Sequence, residues 1–359
     1  MKLRIDHCYP GDCRESMRQM IAAGGGRRVQ TIVTSPPYWG LRDYGMPGQI
    51  GHESTPQEFV ATMVEVFALA RELLADDGTL WLNLGDSYIS RPNGPKASAS
   101  CALNTEAHGK WRNEHGLRSR GLPDGLKHKD LAGIPWRVAL ALQDDGWYLR
   151  QDIIWHKPNP MPESVRDRCT KSHEYLFLLT KGSCYHFDHE AIKEPARYAG
   201  LTGQDASGFK NAADFNGKHA ANPEVRNERG GSRRNSFARV TKNTTGEHGQ
   251  KPQFRPDRED VDYAGMRNKR SVWTIPTEGY SGAHFAVFPP ALIEPCILAG
   301  SRPGDIVFDP FLGSVTTAQV SQDLGRHWLG CELNPEYMPL QDERTRQRGL
   351  LLAEGAAHA

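Results

Sequence analysis

The chain has 359 residues, of which 38% are hydrophobic and 24% are charged, and its formal net charge is +1. This length allows one large core or two smaller ones. The near-neutral charge excludes binding of nucleic acid through overall charge, so any such surface must be a local basic patch. The odd number of cysteines, seven, without a CxxC pair, indicates reduced thiols.

The amino-terminal residues lack the apolar core of a signal peptide, and no apolar run approaches membrane-spanning length. We therefore expect a soluble, cytoplasmic protein with no membrane partner. Cys184, His186 and His189 are close in sequence, but a closed zinc site needs a fourth ligand. We interpret these residues as the end of a strand and expect no metal site.

Strands and helices are predicted to alternate along the chain. Seven segments have the β-branched and aromatic content of strands: KLRIDHCY, VQTIVTS, GTLWLNLGDS, WYLRQDIIWHKP, HEYLFLLTK, DIVFDPF and RHWLGCEL. Five segments have the periodicity of helices: RESMRQMIAAG, TPQEFVATMVEVFALARELLADDG, IPWRVALALQDDG, PPALIEPCILAG and TTAQVSQDLG. This alternation predicts an α/β fold, with helices on both faces of a parallel sheet.

Two polar segments, at about residues 91–130 and 191–270, interrupt this pattern. Such composition is typical of a linker. Both segments are basic within a nearly neutral chain and contain isolated aromatic residues, which favours a surface that faces DNA.

One strand runs directly into residues 35–39, SPPYW. The prolines have no amide hydrogen and fix their own φ angles, so nearby carbonyl groups can point at a substrate. Two aromatic rings follow where a turn is usually polar. A rigid turn after a strand is the simpler interpretation, and a substrate pocket is the functional one.

A second strand–loop–helix segment spans residues 304–320, GDIVFDPFLGSVTTAQV, and a later strand ends at Glu332. A carboxylate at such a strand end can accept hydrogen bonds from both hydroxyls of a ribose. The two features together predict a site for a nucleoside cofactor. The absence of GxGxxG and GxxxxGK[ST] disfavours a dinucleotide and a nucleoside triphosphate.

Together, TSPPYW and FDPFLGSVTT…GCELNPEY resemble the amino-methyltransferases that act on DNA bases and use S-adenosyl-L-methionine. The order of the motifs resembles the beta group of that family, although Val315 replaces the second glycine of the cofactor loop. The resemblance implies a Rossmann-like, seven-stranded methyltransferase sheet with circularly permuted motif order. It also implies a catalytic half at 1–190, an inserted target recognition region at 191–270 and a cofactor-binding half at 271–359.

The resemblance also assigns candidate site residues. The catalytic candidates are Ser35, Pro36, Pro37 and Tyr38. The cofactor-binding candidates are Asp12, His284, Phe288, Asp309, Pro310, Phe311, Gly313, Ser314, Thr316 and Glu332. The predicted DNA contacts are Trp39, Lys157, Arg166, Arg168, Arg233 and Arg234, with Trp39 either lining the pocket or supporting Tyr38.

A base must be rotated out of the duplex before a cofactor in a protein cleft can reach it. The ring of Tyr38 can stack on the extruded base and offset about 1–3 kcal/mol of that cost. Ser35 Oγ and the Pro36 carbonyl can accept hydrogen bonds from the amine, which favours a pyramidal nitrogen with its lone pair free. No strong general base is then required.

Serine before the two prolines resembles the cytosine-N4 members of the family, so we expect N4 methylation of cytosine in double-stranded DNA. Adenine N6 is the main alternative. Methylation of RNA or of a protein glutamine, and a non-catalytic DNA-binding scaffold, are the others. The sequence leaves open whether the protein is a monomer or a homodimer, and whether a cognate restriction endonuclease accompanies it.

Overall fold

The computed structural model describes residues 3–41, 44–89, 125–195, 266–277 and 288–345. The chain divides into two compact units, one formed by Met1–Ile192 with Arg270–Ala359 and the other by Lys193–Lys269. The second unit covers nearly the same residues as the predicted target recognition region. Most of it lies outside the described residues, so that role remains a prediction.

The strands of the first unit are β1 (His7–Pro10), β2 (Val29–Thr34), β3 (Leu74–Leu84), β4 (Tyr148–His156), β5 (His173–Thr180), β8 (Val272–Thr274), β9 (Ile306–Asp309) and β10 (His327–Glu332). In the second unit, β6 (Glu194–Pro195) pairs antiparallel with β7 (Met266–Arg267). The first unit forms one sheet with the order β1-β10-β9-β2-β3-β5-β4-β8. Every neighbouring pair is parallel except the two that involve β5.

The mostly parallel sheet confirms the predicted fold class. All seven predicted strands are present, and β8 adds an eighth strand of three residues beside β4. The first unit contains the helices α1 (Cys13–Met20), α2 (Pro56–Leu73), α3 (Ile134–Asp144), α4 (Pro290–Gly300) and α5 (Thr316–Asp323), and residues 338–345 are also helical. A π-helical turn, Ile21–Gly25, follows α1.

Helix α2 begins and ends at identifiable signals. Thr55 Oγ1 accepts a hydrogen bond from the Glu58 amide at 3.1 Å, and Glu58 accepts one from the amide of Ser54, the residue before the cap, in a variant of the capping box. The sequence predicted that this helix continues to Gly78, which is wrong. The backbone becomes extended at Leu74, and this buried residue pairs with β2.

Alternating residues of the strands bury against helices on opposite faces, as predicted. In β3, Leu80, Leu82 and Leu84 pack into the core shared with α1, α2 and α3. Trp81 points to the other face and packs into the core shared with α4. This alternation follows from the two-residue period of a strand. Helices thus cover both faces of β3, and the end of the strand remains available for a site.

The parallel strands all end at one edge of the sheet, and β5 begins there because it runs in the opposite direction. Parallel α/β sheets bind ligands at this edge. Within the described ranges, no helix is long and apolar enough to cross a membrane. The same residues contain no group of three or more His, Cys, Asp or Glu side chains that could hold a metal ion.

Candidate active site

Ser35 directly follows the last residue of β2, and two prolines come after Ser35. Because the prolines have no amide hydrogen, they cannot continue the ladder of the sheet. Ser35 Oγ lies 3.2 Å from Oδ1 of Asn83, which is buried near the end of the neighbouring strand β3. The turn therefore presents a hydroxyl group at the sheet edge with a buried amide behind it.

Tyr38 is held both at its ring and at its hydroxyl. The hydroxyl oxygen lies 2.7 Å from Oε2 of Glu174 and 3.1 Å from Oδ1 of Asn83. The ring packs against Gly85, where a Cβ atom would lie 2.3 Å from Cε2 of the tyrosine. Burial raises the pKa of the Tyr38 hydroxyl well above its usual value, and the charge of Glu174 adds to this effect, so the hydroxyl keeps its hydrogen.

Asn83 and Glu174 are candidate functional residues that the sequence analysis missed. Glu174 is the second residue of β5, and the antiparallel direction of that strand places it at the edge where its neighbours end. Its Oε1 atom forms an ion pair with the ammonium of Lys157. The only local signal for Glu174 is that an acidic residue follows a basic segment of the sequence. This signal does not indicate which residues the carboxylate contacts.

Strand β2, which directly precedes Ser35, is hydrogen-bonded to β9, which directly precedes the cofactor loop. Asp309, at the end of β9, accepts hydrogen bonds from Thr34 Oγ1 at 2.6 Å, from Thr317 Oγ1 at 2.7 Å and from the Phe311 amide at 3.0 Å. Burial raises the pKa of Asp309 to about 6, although these hydrogen bonds oppose the shift. The carboxyl group therefore joins β2, the loop after β9 and helix α5.

The predicted cofactor loop folds onto the carboxylate of Glu332. The Gly313 amide donates a hydrogen bond to Oε2 of Glu332 at 2.9 Å, and the Asn334 amide donates one to Oε1 at 2.8 Å. Burial raises the pKa of Glu332, and the two amides oppose this shift. On the other side of the loop, the Gly313 carbonyl accepts a hydrogen bond from Gln341 at 2.7 Å.

Val315 takes the left-handed conformation, with φ of 70° and ψ of 18°, immediately before α5. A glycine takes this conformation without strain, whereas a β-branched residue pays roughly 1–3 kcal/mol. The side chain of Val315 is fully buried among Cys8, Leu312 and Trp328. Burial of a valine contributes about 1.5–3 kcal/mol, which offsets the strain and explains how the loop keeps its shape without the second glycine.

The other cofactor candidates differ in their surroundings, and Phe288 packs against the core that contains α4. Asp12 caps α1 at the end of β1, beside β10, and its carboxylate is held by Arg14 at 2.6 Å. The hydrogen bond from Arg14 lowers the pKa of Asp12. Pro310 is buried, Phe311 and Phe288 are partly buried, and Ser314 Oγ lies 3.3 Å from Thr316 Oγ1. His284 lies outside the described residues.

The predicted DNA contacts are only partly consistent with the structure. Trp39 is 6% exposed and donates a hydrogen bond to the Glu53 carbonyl, so it supports the turn from within the core and is wrongly placed as a DNA contact. The ammonium of Lys157 pairs with Glu174 and lies 4.2 Å from the centre of the Trp155 ring, and its contact with DNA remains a prediction.

The two arginines of the same basic segment differ in their surroundings. Arg166 is exposed, and its contact with DNA remains a prediction. Arg168 forms an ion pair with Glu163 at 2.6 Å and covers the ring of Tyr88 at 3.9 Å. Its guanidinium is therefore occupied within the protein. Arg233 and Arg234 lie outside the described residues.

The edge of the sheet fits a nucleoside cofactor with a charged tail. Both oxygens of Glu332 accept hydrogen bonds from backbone amides. A carboxylate has about four lone-pair sites, so Glu332 retains capacity for a ribose hydroxyl. Asp12 follows the adjacent strand β1. Arg14 donates two hydrogen bonds to its Oδ1 atom and one to its Oδ2 atom, so Oδ2 retains acceptor capacity. This donor and acceptor set is consistent with S-adenosyl-L-methionine.

A nucleoside-type loop and a Ser-Pro-Pro-Tyr corner on adjacent strands of a mostly parallel sheet define a methyltransferase-like class of protein. The sequence matches the DNA methylase family over residues 29–343. It is 41% identical over 353 residues to the Type II methyltransferase M.SmaI of Serratia marcescens, covering 96% of this chain and 92% of that protein. The chain belongs to the DNA methylase family, and the predicted resemblance is confirmed.

Other relatives and solved structures agree with this family and fold. The Type II methyltransferase M.XycI of Xanthomonas campestris pv. cyanopsidis is 40% identical over 348 residues, covering 96% of this chain and 89% of the relative. The PvuII DNA methyltransferase (cytosine-N4-specific) superposes with a TM-score of 0.55 at 16% identity, covering 96% of this chain and 87% of that one.

The structure of TTHA0409, a putative DNA modification methylase of Thermus thermophilus in complex with S-adenosyl-L-methionine, superposes with a TM-score of 0.51 at 20% identity, covering 95% of this chain and 93% of that one. At these identities the superpositions show the fold. Together with membership of the DNA methylase family, they agree with S-adenosyl-L-methionine as the predicted cofactor.

Proposed function

We propose that this protein methylates the exocyclic N4 amine of a cytosine that is extruded from double-stranded DNA. The observation that carries the proposal is the hydrogen bond between Thr34 and Asp309. It joins β2, the strand directly before Ser35, to β9, the strand directly before the cofactor loop. An acceptor for a base amine and a site for a methyl donor therefore share one edge of the sheet.

The residues of the corner act on the amine by accepting its hydrogens. Ser35 Oγ and the carbonyl of Pro36 accept one hydrogen bond each, which keeps the nitrogen lone pair out of conjugation with the ring. S-adenosyl-L-methionine, held by Glu332 and the loop at Gly313, supplies an electrophilic methyl group when bound. The proton leaves the nitrogen for water after transfer, so the gain in rate comes mainly from alignment.

Tyr38 holds the base in place. One side of its ring packs against Gly85 and its hydroxyl is fixed by Glu174, so the ring cannot rotate freely when a base stacks on its other side. Stacking of this kind contributes about 1–3 kcal/mol and offsets part of the cost of extruding the base.

Cytosine is preferred to adenine because Ser35 occupies the position before the two prolines, where the resemblance associates serine with cytosine-N4 enzymes. DNA is the macromolecular partner, contacted by exposed basic residues such as Arg166. The relatives named as Type II methyltransferases favour a role beside a restriction endonuclease that cuts the same sequence.

The decisive experiment identifies the methylated base. The purified protein is incubated with DNA of mixed sequence and methyl-labelled S-adenosyl-L-methionine, and the DNA is digested to nucleosides. We expect labelled N4-methyldeoxycytidine, and no label when Ser35→Ala replaces the wild type. Labelled N6-methyldeoxyadenosine would overturn the choice of base, and unlabelled DNA would overturn the proposed reaction.

A further inference from the structure

Glu174 lies next to the catalytic corner without being part of the turn that forms it. Its Oε1 atom pairs with Lys157, and the two side chains are only 16% and 17% exposed. Its Oε2 atom lies 2.7 Å from the hydroxyl of Tyr38 and 3.4 Å from Nδ2 of Asn83. A largely buried ion pair contributes little to stability because desolvation offsets the attraction, so its place at this edge requires another explanation.

The hydroxyl of Tyr38 has one hydrogen and two acceptors within reach. Oε2 of Glu174 is at 2.7 Å and Oδ1 of Asn83 is at 3.1 Å. A hydrogen bond to a carboxylate is shorter and about twice as strong as one to a neutral amide. The hydrogen of Tyr38 therefore goes to Glu174, and Oδ1 of Asn83 is left for another donor.

The amide of Asn83 is held in one orientation by two acceptors. Its Nδ2 atom lies 3.1 Å from the Tyr175 carbonyl and 3.4 Å from Oε2 of Glu174. The reverse orientation would place the amide oxygen against both acceptors, which is unfavourable for a buried group. Glu174 and Tyr175 thus turn Oδ1 of Asn83 toward Ser35.

The hydroxyl of Ser35 then donates its single hydrogen to Oδ1 of Asn83, 3.2 Å away. The hydroxyl of Tyr38 is a poorer acceptor for it at 3.5 Å. A serine hydroxyl has one hydrogen and two lone pairs. When the hydrogen points into the protein, only lone pairs face the pocket, and Ser35 meets an incoming amine as an acceptor.

We infer that Glu174 is a positioning residue for base-amine methylation, which directs the hydrogen bonds of Tyr38 and Asn83 so that Ser35 presents lone pairs to the substrate. This inference rests on the proposed function. Lys157 has a part in it, since its ion pair fixes the carboxylate of Glu174. Lys157 is thereby assigned to the support of the corner and not to the DNA surface.

Replacement of Glu174 by glutamine is expected to reverse the direction of the hydrogen bond between this side chain and Tyr38. Lys157 attracts the amide oxygen of the new side chain, so the amide hydrogens face Tyr38. Tyr38 then accepts from them and turns its own hydrogen to Oδ1 of Asn83. Tyr38 then competes with Ser35 for Oδ1 of Asn83, so the hydroxyl hydrogen of Ser35 is held less firmly and can face the hydrogens of the base amine.

The test compares Glu174→Gln, Tyr38→Phe and the double variant for methylation of DNA. We expect kcat to fall about tenfold or more in Glu174→Gln, with the KM for S-adenosyl-L-methionine within about threefold of the wild type. Tyr38→Phe keeps the ring and removes the hydroxyl hydrogen, so its kcat is the reference against which the double variant is compared. The double variant has no tyrosine hydrogen to occupy Asn83, so its kcat is expected to recover to near that of Tyr38→Phe.

Recovery in the double variant is the readout that a purely structural role for Glu174 would not produce. A double variant no more active than Glu174→Gln, or a fully active Glu174→Gln, would overturn the inference. If Glu174→Gln does not fold, as judged by thermal unfolding, the kcat of Tyr38→Phe tests the inference alone. A fall in kcat of about a hundredfold would overturn it, because the tyrosine hydrogen would then be required for more than its bond to Glu174. An inactive wild type would overturn the proposed function instead.

Discussion

Thr34 donates a hydrogen bond of 2.6 Å to Asp309, and each of the two residues is 1% exposed. The bond crosses between β2 and β9, which are neighbours in the sheet. One residue further along the chain, Ser35 begins the catalytic turn, and Phe311 begins the cofactor loop two residues after Asp309. The distance between the two functional segments is therefore set inside the sheet and not by the loops themselves.

The buried carboxyl group of Asp309 makes stability depend on pH. Its pKa is raised by burial from 3.8 to about 6, so between these values the folded protein binds more protons than the unfolded chain. The free energy of unfolding therefore falls as the pH rises through this window. Relative to Asp309→Asn, the wild type is expected to lose on the order of 1 kcal/mol between pH 5 and pH 7. Urea unfolding of both proteins at each pH measures this, and a pH-independent difference would contradict it.

Ser35→Ala and Tyr38→Ala are expected to lower turnover sharply. The first removes an acceptor for the base amine. The second removes the stacking surface, and the lost stacking energy corresponds to a fall in turnover of roughly ten- to one-hundredfold or more. Cofactor affinity, measured by calorimetry, is expected to stay within about threefold, because the hydrogen bonds of Ser35 and Tyr38 go to Asn83 and Glu174. Ser54→Ala, at an exposed position before α2, is the matched control and should remain active.

Gly85→Ala is expected to displace Tyr38. The added Cβ would lie 2.3 Å from the ring, which is closer than van der Waals contact allows, so the ring or the strand end must move. Misplacement of a positioning group by about 1 Å can lower the rate about a hundredfold. Gly26→Ala, where the nearest atom to the new Cβ is 3.6 Å away, serves as the control. Equal turnover in the two variants would show that the position of Tyr38 does not matter.

Glu332→Gln is expected to weaken binding of S-adenosyl-L-methionine by about 10- to 100-fold. The amide of glutamine cannot accept on both sides, so either the Gly313 amide or the Asn334 amide loses its acceptor, at about 1–3 kcal/mol. Isothermal titration calorimetry reports the change in Kd. Glu336→Gln, at an exposed position four residues later, should bind normally, and unchanged binding in Glu332→Gln would remove this residue from the site.

Local pattern was sufficient for seven of the eight strands of the sheet and for the two motif segments, but it missed β8 and the end of α2. The turn at Ser35 and the loop at Gly313 were predictable because prolines and glycines fix the backbone over a few residues. Asn83 and Glu174 were not predictable, since they meet only through the antiparallel register of β3 and β5, and no local pattern encodes that register. The ion pair of Lys157 with Glu174 was unpredictable for the same reason, because the two residues lie on different segments of the chain.

The pairing of β1 with β10 has a consequence for how the chain folds. Asp6 bonds to Trp328, 322 positions away, and β1 has no other strand beside it within the described sheet. Contacts of such wide separation carry a large loop-closure entropy and are associated with slow folding. During synthesis, β1 cannot pair until the segment around Trp328 has been made, so the pocket that depends on Glu332 assembles only after that point.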